Sequence, residues 1–331
     1  MKEDKLGIAL VGLGKYSKGQ LGPALKETKH CRLAGIVTGS PEKAEEWKKE
    51  FQIPDGNVYS YENFDQIKDN PDIDIIYVVL PNNMHAEYTI RAAKAGKHVI
   101  CEKPMAIFPE ECERMISACK EAGVKLSIGY RLHFDPFNLW MMENGQKDKW
   151  GNVKKIIAEN GMEVEGGVWR VDKKMSGGGP LTDIGIYCIQ GACYTLGEDP
   201  IAVTAKEGEK TEPEKFRDVE QSLSWTMEFP SGRIAECVSD YSKKMNLLRA
   251  EAESGWFELK PAYEYKALKA NTSDGPVQIH EINQQAAQMD DFALCIKNNQ
   301  ETRVPGEMGL RDVKIIQAIY QSMETGRRVE I

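Results

Sequence analysis

Two charged residues and a proline end an apolar segment of the chain. The apolar run His98–Ile100 is followed, after one residue, by Glu102, Lys103 and Pro104. A proline cannot donate to a strand ladder, and a cis bond at Pro104 would aim the two charges inward. At the carboxyl end of a parallel strand, these residues would lie where such sheets bind ligands. Lys103 could there hydrogen-bond a substrate hydroxyl and lower the pKa of a neighbouring acid, whereas the alternative is a surface ion pair.

A second polar pair lies in the stretch GGGPLTDIGIYCIQ, residues 177–190. Asp183 and Tyr187 are four residues apart, so a helix would present both on one face. A carboxylate and a phenol beside a lysine have the chemistry of a proton relay. The alternative is that Tyr187 is a half-buried core residue.

A glycine-rich turn, VGLGKYS at residues 11–17, follows the first apolar run and precedes a helical pattern. Gly12 permits a tight turn, and Gly14 allows backbone to approach a pyrophosphate at a helix N-terminus. Ser17 replaces the third glycine of the dinucleotide-binding pattern. In a first strand–helix unit this turn predicts dinucleotide binding, and the alternative is an ordinary strand–helix turn. The predicted contacts are Gly12, Leu13, Gly14, Lys15 and Tyr16.

The end of the second predicted strand indicates which dinucleotide is bound. Enzymes that use NAD usually place an acidic residue there for the ribose 2′-hydroxyl. Here Thr38, Gly39 and Ser40 occupy the position, and Lys43 follows. Without a carboxylate to repel it, a 2′-phosphate would meet hydroxyl donors and a positive charge. The sequence therefore favours NADP, although NAD is also acceptable if Lys43 only belongs to a solvated helix face.

Composition limits the partners of the chain. It is 41% hydrophobic and 28% charged, with a formal net charge of -8 and a pI near 5.4. This acidity argues against nucleic-acid or anionic-membrane partners. The apolar runs are far shorter than the about 20 residues that a membrane-spanning helix needs. The cysteines are scattered without CxxC pairs or Cys/His clusters, so neither a disulfide framework nor a metal site is predicted.

The N-terminal segment MKEDKLGIALVGLG has a charged start and an apolar run, as a signal peptide does. The run is short, no small-residue cleavage site follows it, and Lys15 comes directly after it. We therefore expect a cytoplasmic protein.

Strand and helix patterns alternate over the first 130 residues. Apolar runs predict strands at Leu6–Val11, Arg32–Val37, Ile73–Leu80, Lys97–Cys101 and Lys125–Gly129. Helical patterns lie at about 19–28, from Pro41, at 86–95 and at 109–122. Repeated strand–helix units of this length predict an α/β domain with a parallel, doubly wound sheet.

The rhythm changes after residue 130. Helical patterns lie at about 135–143, 181–196, 284–297 and 310–325, and residues 201–259 form short strand patterns with tight turns. Such neighbours suggest an antiparallel meander. We therefore predict a nucleotide-binding domain at 1–130 and, at 131–331, an α+β domain with a large open, mainly antiparallel sheet. The last helix could pack back on the first domain.

Three stretches together resemble the family of glucose–fructose oxidoreductase, inositol dehydrogenase and rhizopine-catabolism dehydrogenases (Gfo/Idh/MocA). They are GLGKYS, LPNNMHAEYTIRAAKAGKHVICEKPM and GGGPLTDIGIY. The resemblance runs from about Leu6 to Arg328 and is closest to the glucose–fructose oxidoreductase branch. It implies a Rossmann domain, a C-terminal domain with an open sheet, and homodimers or homotetramers formed through that sheet.

The resemblance also implies roles for individual residues. Lys103 matches the lysine that contacts substrate and nicotinamide, and Asp183 matches the carboxylate of the catalytic helix. Most of the family has a histidine where this chain has Tyr187, but the glucose–fructose oxidoreductase branch has a tyrosine. Tyr187 would then be the acid/base. Further implied cofactor contacts are Tyr61, Leu80, Pro81, Asn82, His85, Glu102, Arg131, Trp169 and Arg170.

The implied activity is an NADP-dependent oxidoreductase that acts on the CH–OH group of a sugar or polyol. Hydride would move between the sugar and the nicotinamide. The chain begins almost at its first strand, so we expect its cofactor to exchange normally. The alternatives are a glucose–fructose-type transhydrogenase with retained NADP and a non-catalytic NADP-sensing regulator, which would not explain the lysine, aspartate and tyrosine. His133 is a weaker candidate for the cleft.

Overall fold

The computed structural model describes residues 5–147 and 149–331, which divide into two compact units. The first unit runs up to Arg131 and also includes Asn283–Leu310. The second comprises Leu132–Ile282 and Arg311–Ile331. Residues 283–310, which the sequence analysis placed in the second domain, therefore fold with the first unit.

The first unit contains a parallel sheet, as predicted. Its strands are β1 (Leu6–Val11), β2 (Cys31–Val37), β3 (Val58–Tyr59), β4 (Ile75–Val78), β5 (His98–Cys101) and β6 (Leu126–Ile128). The order across the sheet is β3-β2-β1-β4-β5-β6, and every pairing is parallel. Each residue of β4 is buried, as expected for a β-branched strand covered on both faces. This strand order is that of a doubly wound nucleotide-binding sheet.

Helices follow β1, β2, β4 and β5. They are α1 (Gly22–Leu25), α2 (Pro41–Phe51), α3 (His85–Lys94) and α4 (Pro109–Glu121). Ser40 caps α2 by accepting a hydrogen bond from Lys43 N, and Pro41 occupies the first turn. Gly96 and Gly123 follow α3 and α4 with positive φ angles of 71° and 67°, as residues after a helix C-terminus often do.

The first helix differs from its prediction at about 19–28. A π turn at Ser17–Leu21 precedes α1, and the Gly22 N–H donates to Ser17 O. Pro23 explains the widened turn, because it has no N–H and its ring would clash with the carbonyl four residues earlier. The helix therefore starts closer to the glycine-rich turn than the sequence pattern indicated.

The second unit contains a mixed, mostly antiparallel sheet. Its strands are β7 (Val153–Gly161), β8 (Ala202–Glu207), β9 (Ser222–Glu228), β10 (Ile234–Asp240), β11 (Met245–Ala252), β12 (Gly255–Leu259), β13 (Ala270–Thr272), β14 (Gly275–Val277) and β15 (Val329–Glu330). Their order is β14-β13-β12-β11-β7-β10-β9-β8-β15. The predicted meander is interrupted, because β7 lies between β10 and β11 and pairs in parallel with β10.

Further helices lie in the same unit as this sheet. They are α5 (Pro136–Gln146), α6 (Lys173–Ser176) and α7 (Ile186–Leu196), and a second π turn at Leu181–Gly185 leads into α7. Helix α7 packs against β7, β10 and β11 and is almost wholly buried. It is the core helix of the second unit.

Two helices close the chain, α8 (Gln284–Lys297) and α9 (Gly306–Thr325). The apolar side of α8 completes the core of the first unit, where Ala286, Met289 and Phe292 join Ile8 and Leu10. This packing explains why residues 283–310 belong to that unit, although they follow the second sheet in sequence. In the part of the chain that the structure describes, no helix is both long and apolar enough to cross a membrane.

Candidate active site

The glycine-rich turn after β1 is shaped by its two glycines in different ways. Gly12 has a φ angle of +96°, and a Cβ atom added there would lie 2.3 Å from Val79 O. No other residue type fits that position without displacing the end of β4. At Gly14, by contrast, an added Cβ would meet no described heavy atom within 4 Å. Gly12 thus packs directly against the protein backbone, whereas the space next to Gly14 is open. Open space next to this backbone fits a pyrophosphate.

The remaining residues of this turn have separate tasks. Ser17 is buried and donates a hydrogen bond to Gly12 O at 2.6 Å, so the residue that replaces the third glycine holds the turn. The side chain of Leu13 is buried in the core, which leaves only its backbone for a ligand. Lys15 is exposed and Tyr16 is half-buried against the core.

The residues after β2 carry hydroxyl groups and charges of both signs. Thr38 is buried, whereas Gly39 and Lys43 are exposed. Ser40 Oγ accepts from Lys43 N at 3.3 Å and donates to Glu42 Oε2 at 2.8 Å. Sequence reasoning overlooked Glu42, although it lies between Ser40 and Lys43 in the chain. Its carboxylate brings a negative charge next to the predicted 2′-phosphate contacts.

Tyr61 lies beside the same loop. A Cβ atom added at Gly39 would be 3.4 Å from the Tyr61 ring. The ring makes an edge contact with Tyr88, with centroids 5.5 Å apart, and Arg91 donates to Tyr61 O at 3.2 Å. Burial raises the pKa of the Tyr61 phenol. The structure thus brings Tyr61 next to Gly39, in keeping with an aromatic wall at the adenine end of a dinucleotide.

His85 ties two loops together. It is fully buried, and its Nδ1 and Nε2 atoms lie 2.9 Å from Pro104 O and 2.8 Å from Leu80 O. Burial lowers the pKa of the imidazole. Both ring nitrogens are therefore occupied by backbone, so His85 positions the loops that follow β4 and β5. Of the neighbours predicted to line the cofactor, Asn82 is buried and Pro81 is half-buried.

Glu102 and Lys103 follow β5, and the Lys103–Pro104 peptide bond is cis. Lys103 is half-buried, and Glu102 is 8% exposed. Tyr77 donates to Glu102 Oε1 at 2.7 Å. Burial raises the pKa of the Glu102 carboxyl, and the Tyr77 hydrogen bond and the charge of Lys103 oppose the rise. Arg131 is buried and donates to Gln284 Oε1 in the same unit.

In the second unit, Asp183 lies in the π turn before α7. Its Oδ2 atom accepts from Arg170 Nε and from Tyr241 Oη, each at 2.9 Å. The Arg170 guanidinium also stacks over the Trp169 ring, 4.7 Å from its centroid. The charge of Asp183 raises the pKa of Arg170. The structure therefore brings three predicted residues, Trp169, Arg170 and Asp183, into one cluster.

Tyr187 lies in the first turn of α7 and is half-buried. Its ring centroid is 6.0 Å from that of Tyr263, with an interplanar angle of 32°. Asp183 lies in the π turn and Tyr187 in the α-helix that follows it, so the predicted pair spans the junction of the two elements.

A carboxylate that sequence reasoning missed caps the segment that carries both residues. Glu220 Oε2 accepts from Gly179 N at 3.0 Å, and Oε1 accepts from Leu181 N at 3.1 Å and from Tyr320 Oη at 2.9 Å. Glycines make room for it, because a Cβ at Gly178 would lie 1.8 Å from Tyr320 Oη. Burial raises the pKa of Glu220.

His133 belongs to a buried polar chain in the second unit. Its Nε2 atom is 2.5 Å from Gln190 Oε1, and Gln190 donates to Asp312. Asp312 pairs with Arg311 at 2.8 Å. The chain holds His133 against α7 and α9. Sequence reasoning had no signal for it, because its members are far apart in the chain.

Some buried polar residues near the predicted site give only a weak signal in the sequence. Tyr77 is the one polar side chain in the apolar segment IIYVV, and buried glutamines interrupt the apolar side of α8. Glu220 and Tyr320 left no trace, since a single Glu or Tyr in a mixed segment is unremarkable. Among the described residues, no three His, Cys, Asp or Glu side chains come together to hold a metal ion.

Family models match most of the chain. Residues 6–130 match an oxidoreductase family with an NAD-binding Rossmann fold. Residues 145–253 match the GFO/IDH/MocA C-terminal domain, and residues 275–331 match an oxidoreductase C-terminal α/β domain. The chain therefore belongs to the Gfo/Idh/MocA family of oxidoreductases.

Individual relatives cover almost the whole chain. The aldose–aldose oxidoreductase from Caulobacter crescentus, solved with glycerol, is 41% identical, with a TM-score of 0.96 over 99% of this chain and 100% of that one. D-xylose 1-dehydrogenase [NADP(+)] from Haloarcula marismortui is 27% identical over 99% of this chain and 94% of its own length. The scyllo-inositol dehydrogenase from Lactobacillus casei, at 21% identity and a TM-score of 0.83 over 100% and 99%, shares the fold.

Proposed function

We propose that this protein is an NADP-dependent oxidoreductase that moves a hydride between a sugar, or a sugar-derived carbonyl, and the nicotinamide. The observation that carries the proposal is the 41% identity over 99% of the chain to an aldose–aldose oxidoreductase. The NADP-dependent xylose dehydrogenase, 27% identical, supports both the sugar and the phosphorylated cofactor. Similarity over the full length makes a shared substrate class more credible than a likeness of fold alone.

The first unit would hold the cofactor. Gly12 and Gly14 would cradle the pyrophosphate, and Thr38, Ser40 and Lys43 would face the 2′-phosphate. Tyr61 would flank the adenine. When bound, the nicotinamide supplies the hydride acceptor or donor. The fit is supported by the space at Gly14, where no described atom lies within 4 Å of an added Cβ. NAD remains acceptable, since Glu42 suits a ribose hydroxyl.

Proton transfer falls to Tyr187 in this proposal. Its phenol would take a proton from the sugar hydroxyl, or return one to the carbonyl, and the positive charge of Lys103 would assist the reaction. Asp183 is bound by Arg170 and Tyr241, so an orienting role suits it better than proton carriage. Arg170 and Trp169 would fix that orientation from the same unit.

We further propose a homodimer or homotetramer formed through the second sheet. Ile157 in β7, Thr226 in β9 and Val238 in β10 are half-buried and alternate with buried residues along their strands. They thus lie on the face of the sheet away from the buried core. A sheet face with apolar residues such as Ile157 and Val238 is a common site of association. Light scattering of the purified protein would give the number of subunits.

A second function of the same class is hydride exchange between two sugars on a retained NADP. It is supported by the 41% identical relative, which is described as an oxidoreductase that acts on two aldoses. The same residues would serve, but the cofactor would not leave between half-reactions. A non-catalytic NADP sensor, the alternative of another class, has no such support.

A turnover screen on freshly purified protein tests these proposals. NADP+ is offered with a panel of aldoses and NADPH with keto- and dicarbonyl sugars, with NAD+ and NADH in parallel. Absorbance follows the nicotinamide, and chromatography follows sugar products. Steady reduction of NADP+ supports the exchanging enzyme, and products without net NADPH support retention. The absence of both signals, together with tight cofactor binding, would support the sensor and contradict the enzyme.

A further inference from the structure

Tyr77 places a hydroxyl group in the middle of a buried strand. It lies in β4, is 0% exposed, and has only isoleucine and valine as strand neighbours. Phenylalanine would fill the same space, and a buried hydroxyl is unfavourable unless it is hydrogen-bonded. The Tyr77 hydroxyl donates to Glu102 Oε1 at 2.7 Å and accepts from Gln288 Nε2 at 3.0 Å. The hydroxyl group of Tyr77 therefore serves to bind the carboxylate of Glu102, which follows β5.

Gln288 extends the chain into α8. It is 1% exposed, and Gln284, one turn earlier on the same helix, accepts from Arg131. Two buried amides one helical turn apart on α8 thus bind Tyr77 in β4 and Arg131, which follows β6. Within the described residues Gln288 Oε1 has no hydrogen-bond partner. The donation from Nε2 to Tyr77 is therefore the contact that explains a buried amide at this position.

The rest of the first unit is shaped around the Glu102 carboxylate. A Cβ atom at Gly129 would lie 2.8 Å from it, so only glycine leaves room there. Lys103 N donates to Glu102 Oε2 at 3.2 Å. The charged groups that act on the carboxylate are Lys103 and Arg131, and both favour its ionised form. Burial raises the pKa of the Tyr77 phenol, and Glu102 and Tyr16 raise it further.

We propose that Tyr77 and Gln288 are positioning residues that hold Glu102 as an oriented hydrogen-bond acceptor toward the bound NADP. The inference rests on the proposed function, because it assumes that the cofactor binds at the carboxyl ends of β1, β4 and β5. The class of group received is a hydroxyl or amide donor of the cofactor, since a carboxylate accepts and does not donate.

Binding of NADP+, measured by calorimetry from pH 5 to 8, tests this without any need for turnover. Tyr77→Phe keeps the shape of the side chain and removes the donor. Affinity at pH 7 should fall about tenfold, the usual scale for losing a hydrogen bond to a charged group. The Tyr77 donation lowers the pKa of Glu102. Its removal raises that pKa, so the loss of affinity on acidification should begin at a higher pH.

Tyr59→Phe is the matched control. Tyr59 is a buried tyrosine of the same sheet whose hydroxyl accepts from Asn70 at 2.8 Å, without contact to Glu102. It should lower the melting temperature about as much as Tyr77→Phe does and leave the pH dependence of NADP+ binding unchanged. A purely structural role for Tyr77 would give two indistinguishable variants.

Glu102→Gln completes a double-mutant cycle. This variant should remove the loss of NADP+ affinity at low pH. Adding Tyr77→Phe to it should cost little further affinity, because the charged acceptor is already gone. Gln288→Leu should repeat the Tyr77→Phe pattern more weakly.

Two results would overturn the inference: wild-type affinity and pH profile in Tyr77→Phe, or full additivity with Glu102→Gln. Both leave the proposed function intact, whereas a wild-type protein that binds no NADP+ contradicts the proposed function itself.

Discussion

Two glycine-rich turns, one in each unit, lead through a π turn into a helix. After β1, the turn with Gly12 and Gly14 precedes the π turn at Ser17–Leu21. In the second unit, Gly177–Gly179 and Pro180 precede the π turn at Leu181–Gly185. The sequences look alike, but the structures use the glycines differently. At Gly14 the added Cβ would meet nothing within 4 Å among the described atoms, whereas at Gly178 it would lie 1.8 Å from Tyr320 Oη.

The difference lies in what occupies the helix start. Backbone N–H groups at a helix N-terminus need an acceptor. The first turn leaves open space beside them, as an anionic ligand requires. In the second turn, Glu220 supplies the acceptor from within the protein, by accepting from Gly179 N and Leu181 N. A glycine-rich turn before a helix therefore indicates a close approach, and only the surrounding residues tell whether ligand or protein makes it.

If the helix after the second turn supplies the acid/base, Tyr187→Phe should have the largest effect on turnover. Turnover should fall by about 10²–10⁴, the usual worth of general acid–base catalysis. The dissociation constant of NADP+ should stay within about twofold, because the first turn binds the cofactor. Steady-state kinetics and calorimetry measure the two quantities.

Tyr263→Phe is the control for that change, since the Tyr263 ring packs next to Tyr187 and its hydroxyl donates to Leu247 O at 3.1 Å. It should keep most of the turnover. Full activity in Tyr187→Phe would remove Tyr187 from the mechanism.

Glu220→Ala should break the internal cap of the second turn. Two backbone N–H groups and the Tyr320 hydroxyl lose their acceptor, and each such buried donor costs about 1–3 kcal/mol. The free energy of unfolding in urea should fall by about 3 kcal/mol or more. A loss under about 1 kcal/mol would show that the cap is not needed.

Glu220→Gln adds a pH test of the same cap. Burial raises the pKa of Glu220 in the folded state above its ordinary value. The folded protein then takes up a proton at a higher pH than the unfolded chain does, so this group adds stability as the pH falls. Between pH 7 and 5 the wild type should therefore gain stability relative to Glu220→Gln. A constant difference would contradict the buried carboxyl.

Gly14→Ala should separate binding from stability in the first turn. The added methyl group meets no described atom, so the melting temperature should stay within about 2 °C, while NADP+ affinity falls about tenfold because the pyrophosphate loses its approach. Gly12→Ala is the contrasting variant. It forces a positive φ and a 2.3 Å contact with Val79 O, so it should destabilise the fold. Equal loss of stability in both would show that Gly14 is structural.

The smallest effect is expected at the 2′-phosphate end. Glu42 is exposed and accepts from Ser40 at 2.8 Å, so Glu42→Gln removes a negative charge from the predicted phosphate contacts. The charge of an exposed side chain is screened by solvent and contributes little. The ratio of NADP+ to NAD+ affinity should rise about threefold. An unchanged ratio would place the 2′-phosphate elsewhere.

The sequence was most informative where local chemistry decides structure. The strand Leu6–Val11 and the helix Gln284–Lys297 have the predicted bounds, because an apolar run and a 3.6-residue period are local signals. The π turn at Ser17–Leu21 was missed, since the strain at Pro23 can be resolved in several ways. The insertion of β7 between β10 and β11 was also missed, because strand pairing over long separations has no local signal.

The candidate site was predictable in the same uneven way. Motif residues such as Lys103, Asp183 and Tyr187 could be named from the family resemblance. Their partners could not, because Tyr241 meets Asp183 across 58 residues of chain and Gln288 meets Tyr77 across 211. Such contacts depend on tertiary packing, which a single sequence does not display.

The most direct test of the central claim follows a labelled hydride. The protein is incubated with NADP+ and an aldose deuterated at C1, and the nicotinamide and sugar products are analysed by NMR. The account predicts deuterium at C4 of NADPH, or on a second sugar if the cofactor is retained, with transfer slowed at least a hundredfold in Tyr187→Phe. Sugar conversion without transfer of the label would contradict an oxidoreductase that uses this chemistry.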